Sequence, residues 1–382
     1  MESPTKILMF VPFYPPHTGG VEYYAEELAL YLSQSGCTIT ILTPQIPGTA
    51  RYTQLENIQI IPYPAFEIIH NYPIPKFWRK NCWKIMSNLR NNPPNIIITH
   101  TRFFLSSFIG TLFSAFTRTP HLHIEHGSSF VQSENIFIAF IAWFYDHTFG
   151  RYILYQSASV VAVSESVKNF LEVVFQKSRI NIIYRGFDAE KINSIAPNNT
   201  LWKPASDELK LIFVGRIIIS KGIYELVTAL ASLPLQNWSC VFIGDGTEMQ
   251  NLKKEIRLKK LSGKIQTIGF KSWHETISIL KSSDILINPS YTEGLPTTVL
   301  EAALCGIPVI ATDVGGTREI SPCITLIPPK NSKALRNAII KTLENIQEIK
   351  ISNLQIASNI QEKFSWKVAT PKFLSILKSL HS

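Results

Sequence analysis

The chain has 382 residues, 45% of them apolar and 17% charged, a balance that suits packed cores in two domains of ordinary size and argues against disorder. Its five cysteines (Cys37, Cys82, Cys240, Cys305 and Cys323) are odd in number and form no CxxC pair; they carry no zinc or dithiol signature and read as buried thiols of a reducing compartment. Most of the net charge of +9 lies in the second half, since residues 1–190 carry 14 Lys and Arg against 13 Asp and Glu, and no nucleic-acid-binding signature accompanies it.

From the N-terminus, Glu2 precedes the apolar run ILMFVPF, which Pro12 interrupts, so the run reads as a first buried strand and not as a secretory leader. Short β-rich runs then alternate with helical stretches. In the first half the predicted strands are KILMFV, TITILT, NIIITH, HLHIEH, VVAVS and INIIY; in the second they are LKLIFVG, SCVFIG, KIQTIG, DILINP, PVIAT and ITLIP. This alternation predicts an α/β chain in which each half is a doubly wound parallel sheet with crossover helices. Between the halves, the stretch from Asp188 to Asp207 is rich in Asn, Ser and Pro, lacks apolar periodicity and reads as a linker.

Within the first half, Gly19 and Gly20 separate the loop FYPPHT from a helix, at a place where glycine lets the backbone approach a ligand or simply makes a tight turn. From Ile68 to Ile124 there is no acidic residue, while Lys76, Arg79, Lys80, Lys84, Arg90, Arg102 and Arg118 are interleaved with Phe77, Trp78, Trp83, Phe103, Phe104, Phe108, Phe113 and Phe116. Such a surface suits the headgroup region of an anionic membrane; the alternative is aromatics packed as helix core with cations solvating the outside. The longest apolar segments, Phe103 to Phe116 and Ile136 to Tyr145, fall short of the roughly 20 residues that a spanning helix needs. His121 and His123 share one strand face with no acidic or cysteine ligand cluster beside them, and His126 ends the strand before Gly127, where a ligand-facing residue belongs. No metal site is expected there.

The second half opens as the first does, with a strand, a glycine turn and a helix. Gly215, Arg216, Lys221 and Gly222 follow the strand directly, so a guanidinium and an ammonium stand at a helix entrance where they can neutralise a departing diphosphate. Gly244, Asp245 and Gly246 open the next helix, a weak signal by itself. The most informative stretch is EGLPTTVLEAALCGIPVIATDVGG, from Glu293 to Gly316. Gly294, Leu295 and Pro296 leave the strand DILINPS, and Pro296 suits the first helical position, which has no use for an N–H. The N–H groups of Thr297 and Thr298 would then face an anion. Glu293 precedes the helix and Glu301 lies inside it, roughly 7 Å further along the axis. Two carboxylates on either side of a phosphate site match the layout of a nucleotide sugar, with sugar, diphosphate and ribose hydroxyls in a row.

These residues resemble those of the retaining glycosyltransferases of family 4, which have the GT-B fold. Two glutamates separated by seven residues are that family's motif, and CGIPVIATDVGG is similar to its next strand and glycine turn. The resemblance extends over nearly the whole chain and is strongest in the C-terminal half. It implies two Rossmann-like domains facing each other across a cleft: an acceptor-binding domain over residues 1–188, a linker over 189–207, a donor-binding domain over 208–363, and a C-terminal helix over 364–382 that crosses back to the first domain.

The resemblance further implies a catalytic set of Glu293 on the sugar hydroxyls, Arg216 and Lys221 on the diphosphate, and His126 on the sugar or the developing positive charge. Glu301 would hold the ribose. Gly215, Gly294, Leu295, Pro296, Thr297 and Thr298 would line the donor site, Gly19 and Gly20 would approach the diphosphate, Gly244 would turn beneath it, and Gly269 and Phe270 would flank the base. No metal and no cofactor are implied, and no DxD sequence occurs. The implied activity is hexose transfer from a nucleoside diphosphate sugar to an acceptor; the basic and aromatic surface of the first half adds the expectation of a lipid-linked acceptor or other cell-surface glycan precursor, met on the cytoplasmic face of a membrane. A nucleotide-sugar epimerase or phosphorylase-like enzyme, or a non-catalytic partner subunit, would keep the same fold. Two departures stand out: EGLP runs straight into TTVLE, and RGFD at Arg185 to Asp188 replaces an asparagine-containing turn.

Overall fold

The computed structural model describes residues 4–15, 17, 19–45, 57–69, 72–130, 136–197, 202 and 208–381. The chain forms two compact units, Met1–Gly186 together with Trp366–Ser382, and Phe187–Ser365.

In the first unit the elements are β1 (Lys6–Phe10), α1 (Gly20–Gln34), β2 (Thr38–Gln45), β3 (Ile58–Ile69), β4 (Tyr72–Pro75), α2 (Lys80–Asn91), β5 (Ile96–His100), α3 (Leu105–Thr117), β6 (His121–Glu125), α4 (Ile136–Tyr145), α5 (Arg151–Gln156), β7 (Ser159–Ala162), α6 (Glu165–Phe175) and β8 (Ile180–Ile182). A π-helical turn, Asp146–Gly150, joins α4 to α5. The strands form one sheet in the order β4-β3-β2-β1-β5-β6-β7-β8, parallel except for the β3–β4 pair. The central strands β1, β5 and β6 are buried on both faces, as helices on both sides of a parallel sheet require, and β5 and β6 carry polar side chains, Thr99, His100, His121, His123 and Glu125, among their apolar ones.

The second unit contains α7 (Ala189–Ser194), β9 (Leu209–Val214), α8 (Ile223–Ala231), β10 (Trp238–Ile243), α9 (Met249–Leu258), β11 (Ile265–Thr267), α10 (Trp273–Leu280), β12 (Ile285–Asn288), α11 (Thr297–Leu304), β13 (Val309–Thr312), α12 (Thr317–Ile320), β14 (Thr325–Ile327), α13 (Ser332–Glu344) and α14 (Ile346–Lys363). Its six strands run parallel in the order β11-β10-β9-β12-β13-β14. Local chemistry starts several of its helices: Ser272 and Glu275 form a reciprocal capping box on α10, and the Asn331 side chain accepts from Ala334 N at 2.8 Å on α13. Leu211, Phe213, Leu226, Leu230, Phe242 and Ile287 pack a continuous core between sheet and helices. Each such side chain contributes about 1.5–3 kcal/mol on burial.

The last helix, α15 (Trp366–His381), belongs to the first unit and packs on α1. Its Trp366 is fully buried, stacks on Tyr31 at 5.3 Å and donates from its indole to Glu27 at 3.3 Å.

Three expectations change against the structure. Strands β3 and β4 are not among the predicted runs, because Pro62 and Pro64 argue against a strand. They stand where β3 pairs with β2 alone, before β4 joins at Ala65, a position that tolerates a missing N–H. The stretch read as a linker begins with α7, whose Ile192 is buried; residues 198–201 and 203–207 of it lie outside the described residues. Finally, Arg102 is not a surface cation: it is 2% exposed and lies between two carboxylates. Phe113 likewise packs in the core with Leu8, Phe10 and Ile97.

Candidate active site

Parallel strands deliver their following loops to one sheet edge, so in the second unit the residues after β11, β10, β9, β12 and β13 collect along it. These are Gly269 and Phe270, Gly244, Gly215 and Arg216, Glu293 to Thr298, and Gly315. Cross-links knit the row together: Gly215 N donates to Ile243 O at 3.0 Å, Gly244 N to Gly269 O at 2.9 Å, and Gly316 N to Gly294 O at 2.8 Å. Gly315 has φ +54°, and a Cβ there would lie 1.8 Å from the carbonyl oxygen of Glu293, so only glycine lets the turn after β13 support the turn that carries Glu293.

The central contact is an ion pair. Lys221 Nζ donates to Glu293 Oε1 at 2.5 Å, both side chains being largely sheltered from solvent. The two residues are 72 positions apart and meet because β9 and β12 are neighbours and Tyr291 N donates to Ser220 O at 2.8 Å, which ties the turn bearing Lys221 to the loop before Glu293. Arg216, just past the end of β9, is exposed, and its side chain has no hydrogen-bond or ion-pair partner among the described residues.

Helix α11 starts at Thr297, one residue later than the expectation for Pro296. Pro296 has ψ 108° and its carbonyl accepts from Leu300 N at 3.2 Å, which makes it the half-helical residue before the first turn. No side chain caps the helix, so its first N–H groups, with the positive end of the macrodipole, suit an anion. Glu301, one turn inside, is buried and accepts from Trp273 Nε1 at 3.0 Å. Trp273 heads α10 and is not among the predicted site residues; nothing in the local pattern points to its pairing with an acid 28 residues away.

The first unit gathers its own group at the same kind of edge, after β1, β5 and β6. Gly19 precedes α1, and a Cβ there would meet the Glu22 carboxylate at 2.4 Å, whereas at Gly20 a Cβ would meet nothing within 4 Å. Glu22 is buried and faces His17 Nδ1 at 2.7 Å. His126 stands half-buried after β6, with Nε2 3.3 Å from His100 Nδ1 and its ring edge-on to Tyr24 at 4.7 Å. Burial, the largest cause, pushes the His126 imidazole down to about 3 in spite of the neighbouring Glu125 carboxylate. His126 is therefore a neutral hydrogen-bonding ring at physiological pH, and a preformed positive charge is not part of its chemistry. His100 is also held well below the ordinary imidazole range, by burial first and then by His126. The signal for His100 is present in the sequence: neighbouring strands NIIITH and HLHIEH both end in histidine.

Behind His126 lies a buried ionic network that sequence reasoning missed. Glu125 Oε1 accepts from His126 N at 2.9 Å and Gly127 N at 2.8 Å, while its Oε2 lies 3.1 Å from Arg102 Nη1. Arg102 also meets Asp146, Nε to Oδ1 at 3.2 Å, and donates to Ser129 O at 3.1 Å. Although burial is the largest single influence on Glu125 and opposes ionisation, Arg102, His123 and Gly127 together hold the carboxyl far below its usual range. Asp146 goes the other way: burial raises it to about 6 despite Arg102, since Glu125 repels a second negative charge. His121 and His123 both bond the Thr99 hydroxyl, at 2.7 and 2.8 Å, and so satisfy each other's strand neighbour.

The departure at RGFD has a structural role. Arg185 is buried, pairs with Glu27 at 2.9 Å and donates to Gly20 O at 3.4 Å, holding the first turn of α1 in place.

Residues 18–191 match the family Glycosyltransferase Family 4, and residues 201–360 match Glycosyl transferases group 1. A Methanocaldococcus jannaschii protein described as an uncharacterized glycosyltransferase is 33% identical over 98% of both chains. A phosphatidylinositol N-acetylglucosaminyltransferase subunit of Saccharomyces cerevisiae is 22% identical over 98% of this chain and 83% of its own. Among solved structures, Anabaena HepE in complex with UDP and glucose superposes with a TM-score of 0.76 at 18% identity, covering 98% of this chain and all (100%) of that one.

Proposed function

The chain belongs to the family 4 glycosyltransferases, of GT-B fold, and from that premise we propose that it moves a hexose, with retention, from a nucleoside diphosphate sugar to a lipid-linked acceptor. The observation that carries this reading is the Lys221–Glu293 pair beside the uncapped start of α11, with Glu301 one turn further in. A diphosphate at the α11 N–H groups lies within the reach of Lys221 on one side; the sugar then falls to Glu293 and the ribose to Glu301. Bond cleavage leaves negative charge on the diphosphate, and Lys221, Arg216 and the helix N-terminus stabilise that charge as it grows. The leaving diphosphate, still held on the sugar's front face, takes the acceptor proton.

A UDP and glucose complex of the similarly folded HepE supports a nucleotide-sugar donor, and a relative named for phosphatidylinositol supports a lipid acceptor. Exposed Arg79, Lys80, Lys84 and Arg90 with Trp78 and Trp83, on and beside α2, support attachment to the cytoplasmic face of an anionic membrane. The reading is tested by a panel of nucleotide sugars in thermal unfolding, where the true donor stabilises by mass action. A flat response across the panel would overturn it.

Glu301→Gln is expected to weaken donor binding by about 1–3 kcal/mol, because an amide is a poorer acceptor for ribose hydroxyls than a carboxylate. Calorimetry with the nucleotide reads this, and unchanged affinity removes Glu301 from the ribose. Transfer is also expected to survive EDTA, the cations at the phosphate site being Lys221 and Arg216. Loss of transfer that magnesium or manganese restores would show a metal in the mechanism.

A further inference from the structure

Helix α4 has the sequence IFIAFIAWFY, with no charged residue, and most of it faces outward: Ile136 is 86% exposed, Phe137 70% and Phe140 59%, and Ile141, Trp143 and Phe144 are exposed as well. Leaving so much apolar surface in water is unfavourable by about 25 cal/mol per Å², and a contiguous patch of this kind marks an interaction surface. The helix is firmly held at its far end, where Asp146 is buried against Arg102.

We infer that α4 is an in-plane membrane anchor, its outer face seated at the boundary of headgroups and acyl chains; this rests on the reading of a membrane-borne acceptor and deepens it. Ten residues span about 15 Å, half the hydrocarbon thickness, so the helix lies in the surface and does not cross it. Charge decides the occupant. Exposed Arg79, Lys80, Lys84, Arg90, Arg118 and Arg151 have no acidic partner among the described residues. Aromatic contacts connect this cationic region to α4: Tyr145 meets Phe103 at 5.7 Å, Phe103 meets Tyr72 at 5.3 Å, and β3, which pairs with the strand of Tyr72, sets Phe66 against Trp78 at 5.5 Å. A second copy of the chain would bring like charges together, whereas an anionic leaflet brings the opposite charge. Trp143, Trp78 and Trp83, all exposed, are the amphipathic rings that favour the interface.

The test is sedimentation of the full chain with vesicles of phosphatidylcholine, with and without phosphatidylglycerol. We compare wild type, a Phe137→Gln, Phe140→Gln, Phe144→Gln variant, and an Arg79→Glu, Lys80→Glu, Lys84→Glu variant. All six sites are exposed, so thermal unfolding should match wild type. The α4 variant is expected to lose at least about tenfold in binding to anionic vesicles, since three buried aromatic faces are given up. Brominated acyl chains are expected to quench wild-type fluorescence more than that of Trp143→Phe. If the α2 variant is released while the α4 variant binds as wild type does, the anchor is overturned and the peripheral location stands. If wild type binds no vesicle, both fall, and the donor panel still judges sugar transfer independently. A wild-type dimer that becomes monomeric in the α4 variant, without loss of vesicle binding, would show a second copy on this face and overturn the anchor.

Discussion

With a saturating donor, Arg216→Ala and Lys221→Ala are expected to turn over about 10²–10³-fold more slowly than wild type, the range for removing one preorganised group from a developing oxyanion. Donor affinity should fall much less, because the diphosphate gains charge only as the glycosidic bond breaks. The two variants are not equivalent tests. Lys221→Ala also strips Glu293 of a partner 2.5 Å away, so part of its loss comes from a displaced carboxylate. The Arg216 side chain is exposed and has no partner among the described residues, so its truncation breaks no other contact in the resting protein. A Glu293→Gln control separates the two contributions for Lys221. Turnover near the wild-type rate in Arg216→Ala would remove that residue from the catalytic set.

Arg102→Ala is expected to destabilise the first unit by about 3–5 kcal/mol, because it leaves Glu125 and Asp146 as buried carboxylates without their cation. Chemical denaturation at neutral pH reads the loss. The pH dependence has a definite sign. In wild type the Glu125 carboxyl is held far below its unfolded value, so its contribution is present at neutral pH and is lost as the solution becomes strongly acidic. Without Arg102 the Asp146 carboxyl, already raised to about 6, rises further and Glu125 loses the cation that most holds it down, so both bind protons more tightly than in wild type and the variant recovers stability relative to it as pH falls. The gap between the two proteins should therefore narrow towards acid pH. A loss below about 1 kcal/mol, or a gap independent of pH, would show that water or a shifted side chain has replaced the guanidinium. The same variant should depress activity, since Glu125 accepts the backbone N–H groups of His126 and Gly127.

Part of this architecture is legible in the amino-acid sequence. Alternation of short apolar runs with helical stretches is enough to predict two parallel sheets, because crossover connections admit little else. The spacing of Glu293 and Glu301 around a Gly-Leu-Pro entry predicts a helix with acids on both sides of an anion site, and α11 forms there within one residue of the expected start. Those are local properties, set by propensity, turn chemistry and the 1.5 Å rise of a helix.

Other features depend on neighbours that the chain itself does not announce. Pro62 and Pro64 hide β3 from a reading of propensity, and the strand survives because one flank is open at that point. Arg102 sits in a basic stretch without an acid from residue 68 to 124, yet its partners are Glu125, just past that stretch, and Asp146, 44 positions away. Lys221 and Glu293 could each be assigned to a donor from local sequence, but their pairing required β9 and β12 to be adjacent in the sheet although three helices and two strands separate them in the chain. Sequence alone determined which residues stand at strand ends and helix starts, since those follow from bonds and contacts a few residues long. Only the tertiary structure decided which charges are buried together, because burial and pairing depend on strand order, which brings together residues that backbone proximity keeps far apart.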